Sequence, residues 1–290
     1  MSEMLQFAIS GITVGVIYGA VALGFTVIYN ASHVVNFAQG EFVMLGAMIT
    51  VFGIASGLPY PLAALLAVAA TALVSLALYD LAIRPAGNAP IFALIIITIG
   101  ASILLRGVAQ ILFGTSFFAL PPIAGDTPIA IGGAVLQPQS VVVVAGTLAI
   151  VGGLLFLMRR TLLGKALIAA STDAMAAHLV GINVRSIVRL SFVISSVIGA
   201  VCGILIAPIA LASHDMGTLL ALKGFAAAML GGMGSPAGAL VGGLLVGLSE
   251  AFSAGYLSSD YKDATAFIII ILVLFVFPNG LFGSGGHDRV

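Results

Sequence analysis

Long apolar runs separated by short polar turns recur from Leu5 to Phe277, and they decide what this chain can become. Four run from about Leu5 to Tyr29, Leu62 to Ile83, Ile91 to Phe113 and Ile187 to Leu211. Each exceeds the ~20 residues that a helix needs to cross a hydrocarbon core. A somewhat shorter run covers about Ser140 to Met158. Backbone groups in lipid must be satisfied within their own segment, so such runs are read as helices. Charged residues are only 7% of the chain, which excludes a soluble globular domain. The expectation is one all-α polytopic membrane domain over residues 1–290, with about eight or nine transmembrane segments.

Within the first run Gly11, Gly15 and Gly19 repeat at four-residue spacing and mark one helix face for close packing. Asn30 to Phe42 then interrupts the hydrophobicity. The second segment covers about Val43 to Ala55, or begins as early as Val34. In the longer version Asn36, Gln39 and Glu41 lie within the bilayer or at its edge. There they serve as an interhelical hydrogen-bonded clamp or line a pore. Gly57 to Pro61 reads as an external turn. Arg106, inside segment four, is expected to snorkel or to pair with an acid, the ion pair being favoured. The connection from Gly114 to Gln137 is external, with alternating apolar residues around Gly132-Gly133 predicting a small hairpin. Pro208 is expected to bend the far end of segment six.

Between segments five and six, Arg159 to Arg189 holds half of the ten basic residues, Arg159, Arg160, Lys165, Arg185 and Arg189. The positive-inside rule makes this loop cytoplasmic, and counting backwards leaves the N-terminus outside. Two short helices are expected in it. Thr161 caps the first, Thr172 or Asp173 caps the second, and Gly181 closes the second in a left-handed conformation. Alanines at 166, 169, 170, 174 and 177 give a small-residue face suited to another protein's groove. Further on, Gly231, Gly232, Gly234 and Pro236 break an apolar pattern, predicting two shorter helices that border a transport route, with a plain kink as the alternative. If Thr218 to Gly234 crosses fully there are about nine crossings and the C-terminus is inside. If it only re-enters there are about eight and the C-terminus is outside. Ser258 to Asp263 reads as a polar turn before a final segment from about Ala264 to Phe277.

The chain carries no energy source of its own. No phosphate-binding loop is present, since Gly164-Lys165 is followed by alanine and lacks the upstream glycine. No catalytic set can be assembled and no acidic metal pair is evident. His33, His178, His214 and His287 have no partner at metal-ligand spacing, and Cys202 is a small packing residue in an apolar run. Zero net charge gives no hint of nucleic-acid binding. Ser2 and Glu3 precede the first run without a basic flank, so no cleavable signal is expected. The reading is a transport subunit moved by a partner, against a self-sufficient channel or ion-coupled carrier for a small polar solute.

Gly15 to Gly24, followed by Val35-Asn-Phe-Ala-Gln-Gly-Glu-Phe42, resembles the opening signature of the branched-chain amino acid ABC transporter permeases. Arg160 to Ala166, Asp173 and Ala177 to Ile182 resemble the cytoplasmic coupling loop of that family. Lys223-Gly-Phe, Gly231 to Ala239, Gly255-Tyr-Leu, Tyr261-Lys-Asp263 and Pro278 to Phe282 complete the pattern, closest to the shorter of the two paralogous subunits. Two departures stand out: Ile168 where many relatives are basic, and Gln39 in place of a histidine. The resemblance implies a prokaryotic inner-membrane subunit working with a second permease, two cytoplasmic ATPases and a periplasmic binding protein. ATP and Mg would be bound by the ATPases, leaving this chain with no cofactor or metal. It further implies that Gly164, Lys165, Asp173, Ala177 and Gly181 form the ATPase contact, and that Asn36, Phe37, Gln39 and Glu41 sit near the translocation path.

Overall fold

A computed structural model describes residues 2–87, 89–125, 127–258 and 261–283. Helix α1, Ser2–Ser32, is the central post of the bundle, and from Val16 onwards most of its residues are buried. Around it stand α2 (Gln39–Ala55), α3 (Tyr60–Leu78), α4 (Ile91–Phe113) and α5 (Pro138–Arg160). The chain then forms α6 (Leu162–Thr172), α7 (Ala174–Leu179), α8 (Val184–Ala210), α9 (Met216–Gly231), α10 (Pro236–Tyr256) and α11 (Lys262–Val276). Six of the described helices are long and apolar enough to cross a membrane, and the chain is a multi-pass membrane protein. α4 shows its surroundings plainly: Phe92, Ile111 and Leu112 are exposed, as expected of side chains that face lipid.

The α1 glycines do what their spacing predicts. A β-carbon on Gly11, Gly15 or Gly19 would stand 2.9 Å from Leu248 Cα, 3.0 Å from Gly243 O and 3.1 Å from Leu240 Cα. α10 therefore lies backbone against backbone along α1. Such contact gains dispersion energy in lipid, where no hydrophobic effect drives helices together.

The break at Gly231–Pro236 is the turn of an antiparallel helix hairpin. Gly232 (φ 101°) and Gly234 (φ 96°) take left-handed conformations, and the Ser235 hydroxyl accepts from Gly238 N at 3.1 Å to start α10. The turn sits at one end of the bundle, because Asn30 Nδ2, at the end of α1, donates to Gly234 O at 2.9 Å. α9, a shorter apolar helix, begins after α8 with Gly217 against Gly40 and ends at the level of Asn30. After α11 the chain returns to that level, where Leu281 N and Phe282 N donate to Leu230 O and Gly231 O, both at 2.9 Å.

At the opposite end β1 (Ile129–Ile131) and β2 (Ala134–Leu136) pair antiparallel around Gly132-Gly133, the expected hairpin. Gln6 clamps it, its side chain donating to Val135 O at 3.2 Å and accepting from Val135 N at 2.7 Å. Helix α3 continues as a π-helical turn, Tyr79–Ile83, and Pro208 lies in the last turn of α8. In the polar turn before α11, Ser259 and Asp260 lie outside the described residues, as does His287.

Candidate translocation path and coupling loop

Between α1 and α2 the chain does not stay at the end of the bundle. His33 takes a left-handed conformation (φ 54°), and Val34, Asn36 and Ala38 are then buried. Gln39, the first residue of α2, reaches the backbone of Gly24, eight residues up α1 from Ser32. At 1.5 Å per residue that is about 12 Å inside the bundle end. α2 therefore starts within the bundle at Gln39, between the expected starts at Val43 and Val34, and is fed by a non-helical segment.

Backbone groups in this segment find local partners. Phe37 N donates to Thr98 Oγ1 at 3.2 Å, and Asn36 Oδ1 accepts from Ala38 N at 3.1 Å. Gln39 is a clamp between helices: its Nε2 donates to Ser195 O at 3.2 Å, and its Oε1 accepts from the Ser195 hydroxyl. Phe37 packs with Phe25 and Phe225, ring centroids 6.5 and 5.3 Å away. Glu41 Oε1 accepts from Ser102 on α4 at 2.8 Å. Among the described residues, Asn36 Nδ2 and Glu41 Oε2 are buried without a hydrogen-bond partner. Each such group costs about 1–3 kcal/mol while unsatisfied.

Arg106 differs from its expectation. Its Nη1 donates to Thr218 Oγ1 at 2.9 Å, and no carboxylate among the described residues comes within ion-pairing distance. The hydroxyl lies at the start of α9, which sequence order alone could not bring to α4. Nearby Asp215 is held below the usual carboxylate range, chiefly by the hydrogen bond that Ser213 donates at 2.6 Å.

The loop after α5 contains the two expected helices. Thr161 Oγ1 accepts from Gly164 N at 3.0 Å, and Asp173 Oδ1 accepts from Met175 N and Ala176 N at 2.8 and 2.9 Å. Asp173, of the two candidates, is thus the second cap. Gly181 (φ 88°) ends α7, with Ile182 N returning to Ala177 O at 3.0 Å, a Schellman closure. Most of the small-residue face turns the other way from its expectation, with Ala174 still exposed. Ala170 and Ala177 pack inward with Leu167 on Ala31 and Ile187, and Gly164 is buried against the end of α5. Lys165, Asp173 and Gly181 are exposed, and so are Leu162, Met175, Leu179 and Val180. Small residues together with Leu167 hold α6 and α7 flat on the bundle, leaving Leu162, Met175, Leu179 and Val180 outward.

One charged group was not foreseen. Tyr18 donates to Glu250 Oε2 at 2.8 Å, while Lys223 Nζ lies 2.8 Å from both Glu250 Oε1 and Asp263 Oδ1. The cluster joins α1, α9, α10 and α11. A lysine and a glutamate on the two arms of a Gly/Pro hairpin are the signal that could have found it.

The profile of the family described as the branched-chain amino acid transport system permease component matches residues 7–274. The chain belongs to this permease family. It is 32% identical to the high-affinity branched-chain amino acid transport permease LivH of Escherichia coli strain K12, over 99% of this chain and 97% of LivH. BraD of Pseudomonas aeruginosa, a permease of the same description, is 33% identical over 99% of this chain and 98% of BraD. Among solved structures, PsaBC from Streptococcus pneumoniae in complex with Fab shares the fold. Its TM-score is 0.53 at 16% identity, covering 97% of this chain and 94% of that one. The family is one of transporter permeases rather than of enzymes.

Proposed function

We propose that this permease is a membrane subunit of an ATP-driven importer for branched-chain amino acids or related small solutes. In this reading it is paired with a second permease, served by two cytoplasmic ATPases and fed by a periplasmic binding protein. The observation that carries it is the form of the α6–α7 loop: two capped helices fixed by their small residues, with Leu162, Met175, Leu179 and Val180 turned outward. Such a surface suits a soluble partner that pushes on the bundle. ATP binding to the closed ATPase pair supplies the differential affinity that any driven conformational shift needs.

Charge favours this loop lying in the cytoplasm of a prokaryotic inner membrane. Arg84, Arg159, Arg160, Lys165, Arg185 and Arg189 all belong to the bundle end that holds Ser32. That is the asymmetry expected of an inner face, and in this reading the N-terminus lies outside. The path runs past the buried segment Asn36 to Glu41. A zwitterionic amino acid offers what Asn36 Nδ2 and Glu41 Oε2 lack, a carboxylate and an ammonium group, beside the apolar rings of Phe25, Phe37 and Phe225.

The test is ATP hydrolysis and solute uptake by the reconstituted assembly. Gly181→Pro places a side chain where φ is 88° and removes the closure of α7. It should abolish substrate-stimulated hydrolysis while the subunits still insert. Unchanged hydrolysis would count against the coupling role. Solute flux through this chain alone in liposomes would favour a self-sufficient channel or carrier instead.

A further inference from the structure

At the bundle end beside the α6–α7 loop, a cavity of about 380 Å³ opens between the ends of α1, α3, α4 and α8. Its wall has two chemistries. Val34, Ile83, Leu94 and Val188 give an apolar floor, and Arg84 and Arg185 stand on its rim. The arginines are under-neutralised. The Asp80 carboxylate is 2.8 Å from Arg189 Nη2 and only 3.9 Å from Arg84 Nη1, while Arg185 has no acidic partner among the described residues. At these helix ends Leu81 and Phe92 are 79% and 80% exposed, so the surroundings are those of a lipid-facing surface.

We propose that this cavity binds a phosphate-bearing anion, and specifically the headgroup of an anionic phospholipid with the first part of an acyl chain on the apolar floor. Guanidinium groups take phosphate oxygens in paired hydrogen bonds, and basic pockets between transmembrane helices collect acidic headgroups. At ~30 Å³ per water, the cavity holds about a dozen waters' volume, room for a glycerophosphate group. A free phosphate would satisfy the arginines but leave Val34, Ile83, Leu94 and Val188 against water. The apolar floor therefore favours the lipid. The occupant would brace α3 against α8, where Tyr79 already donates to Arg185 O at 3.1 Å. The leaflet that supplies the lipid follows from the orientation proposed above, whereas the cavity does not depend on it.

Native mass spectrometry of the assembled transporter, released from bilayers of phosphatidylglycerol and phosphatidylcholine with identical chains, tests this. The wild type should retain phosphatidylglycerol preferentially. The double variant Arg84→Gln, Arg185→Gln should lose that preference by roughly 10- to 30-fold. Both side chains are exposed, so its elution profile should match the wild type. Millimolar inorganic phosphate should leave the adduct in place, and displacement by it would reject the lipid in favour of a soluble anion. Equal retention by wild type and variant would overturn the site. So would a variant that sheds the ATPases while holding its lipid, because the arginines would then belong to the partner contact.

Discussion

Lys223 Nζ lies 2.8 Å from Glu250 Oε1, and the pair ties the two arms of the α9–α10 hairpin together inside a largely apolar bundle. The Tyr18 hydroxyl holds the second oxygen of the same carboxylate at 2.8 Å, which brings α1 into the link. A buried pair is costly to form but costlier to halve, because the remaining charge keeps its desolvation penalty. Glu250→Ala leaves Lys223 with Asp263 alone, 2.8 Å away, and strips Tyr18 of its acceptor, so it should lower stability by roughly 1–3 kcal/mol, read as thermal unfolding in detergent. The double variant Lys223→Met, Glu250→Leu should recover much of that loss. A double variant no better than Glu250→Ala would mean that packing at position 250, not charge, is what matters.

The α1–α10 contact makes a sharper claim about size. Gly15→Val puts a branched side chain where a β-carbon already stands 3.0 Å from Gly243 O, and backbone cannot rotate away. Overpacking of this kind costs about 1–3 kcal/mol or more, so the variant should melt earlier. Gly107→Ala is the control, since nothing lies within 4 Å of its added carbon. Its melting should be unchanged or slightly higher. Equal behaviour of the two would remove the close crossing from the account.

How much could be read from sequence depended on whether the controlling physics was local. Thr161, Asp173 and Gly181 act within four residues of themselves, and their caps and closure stand where their residue types require. Gly11, Gly15 and Gly19 announced a crossing, though not which helix would fill it. The partner of Arg106 was not legible, because Thr218 comes 112 residues later and only folding brings it to α4. The orientation of the α6–α7 alanines was also hidden: spacing defines a face but not which way the face turns. Gln39 shows the same limit. Its clamp on Ser195 depends on α2 beginning inside the bundle, which hydrophobicity alone left open.

Asp173 separates local order from global stability. Its carboxylate caps α7 through Met175 N and Ala176 N, so Asp173→Ala should cost about 1 kcal/mol confined to a six-residue helix on the surface. The melting of the bundle should hardly move. Substrate-stimulated ATP hydrolysis by the full assembly should fall several-fold, by analogy with that loss at 1.4 kcal/mol per tenfold. Asp173→Asn, which keeps an accepting oxygen, should restore most of it. A large drop in bundle stability with hydrolysis intact would make the residue a structural cap alone.

Glu41 decides whether the buried segment carries solute. Its Oε1 accepts from Ser102 and its Oε2 has no partner among the described residues, although the side chain is 1% exposed. A purely structural carboxylate would be expected to engage both oxygens, because each one left unpaired is a standing cost. Glu41→Gln keeps the shape and an acceptor for Ser102 but removes the charge. If the free oxygen receives the ammonium group of an amino acid, uptake should drop about tenfold or more, the scale of one charge-assisted hydrogen bond. ATPase assembly and melting should stay near wild type. Uptake unaffected in Glu41→Gln, with Asn36→Leu equally silent, would move the path elsewhere in the assembly and leave this segment as packing.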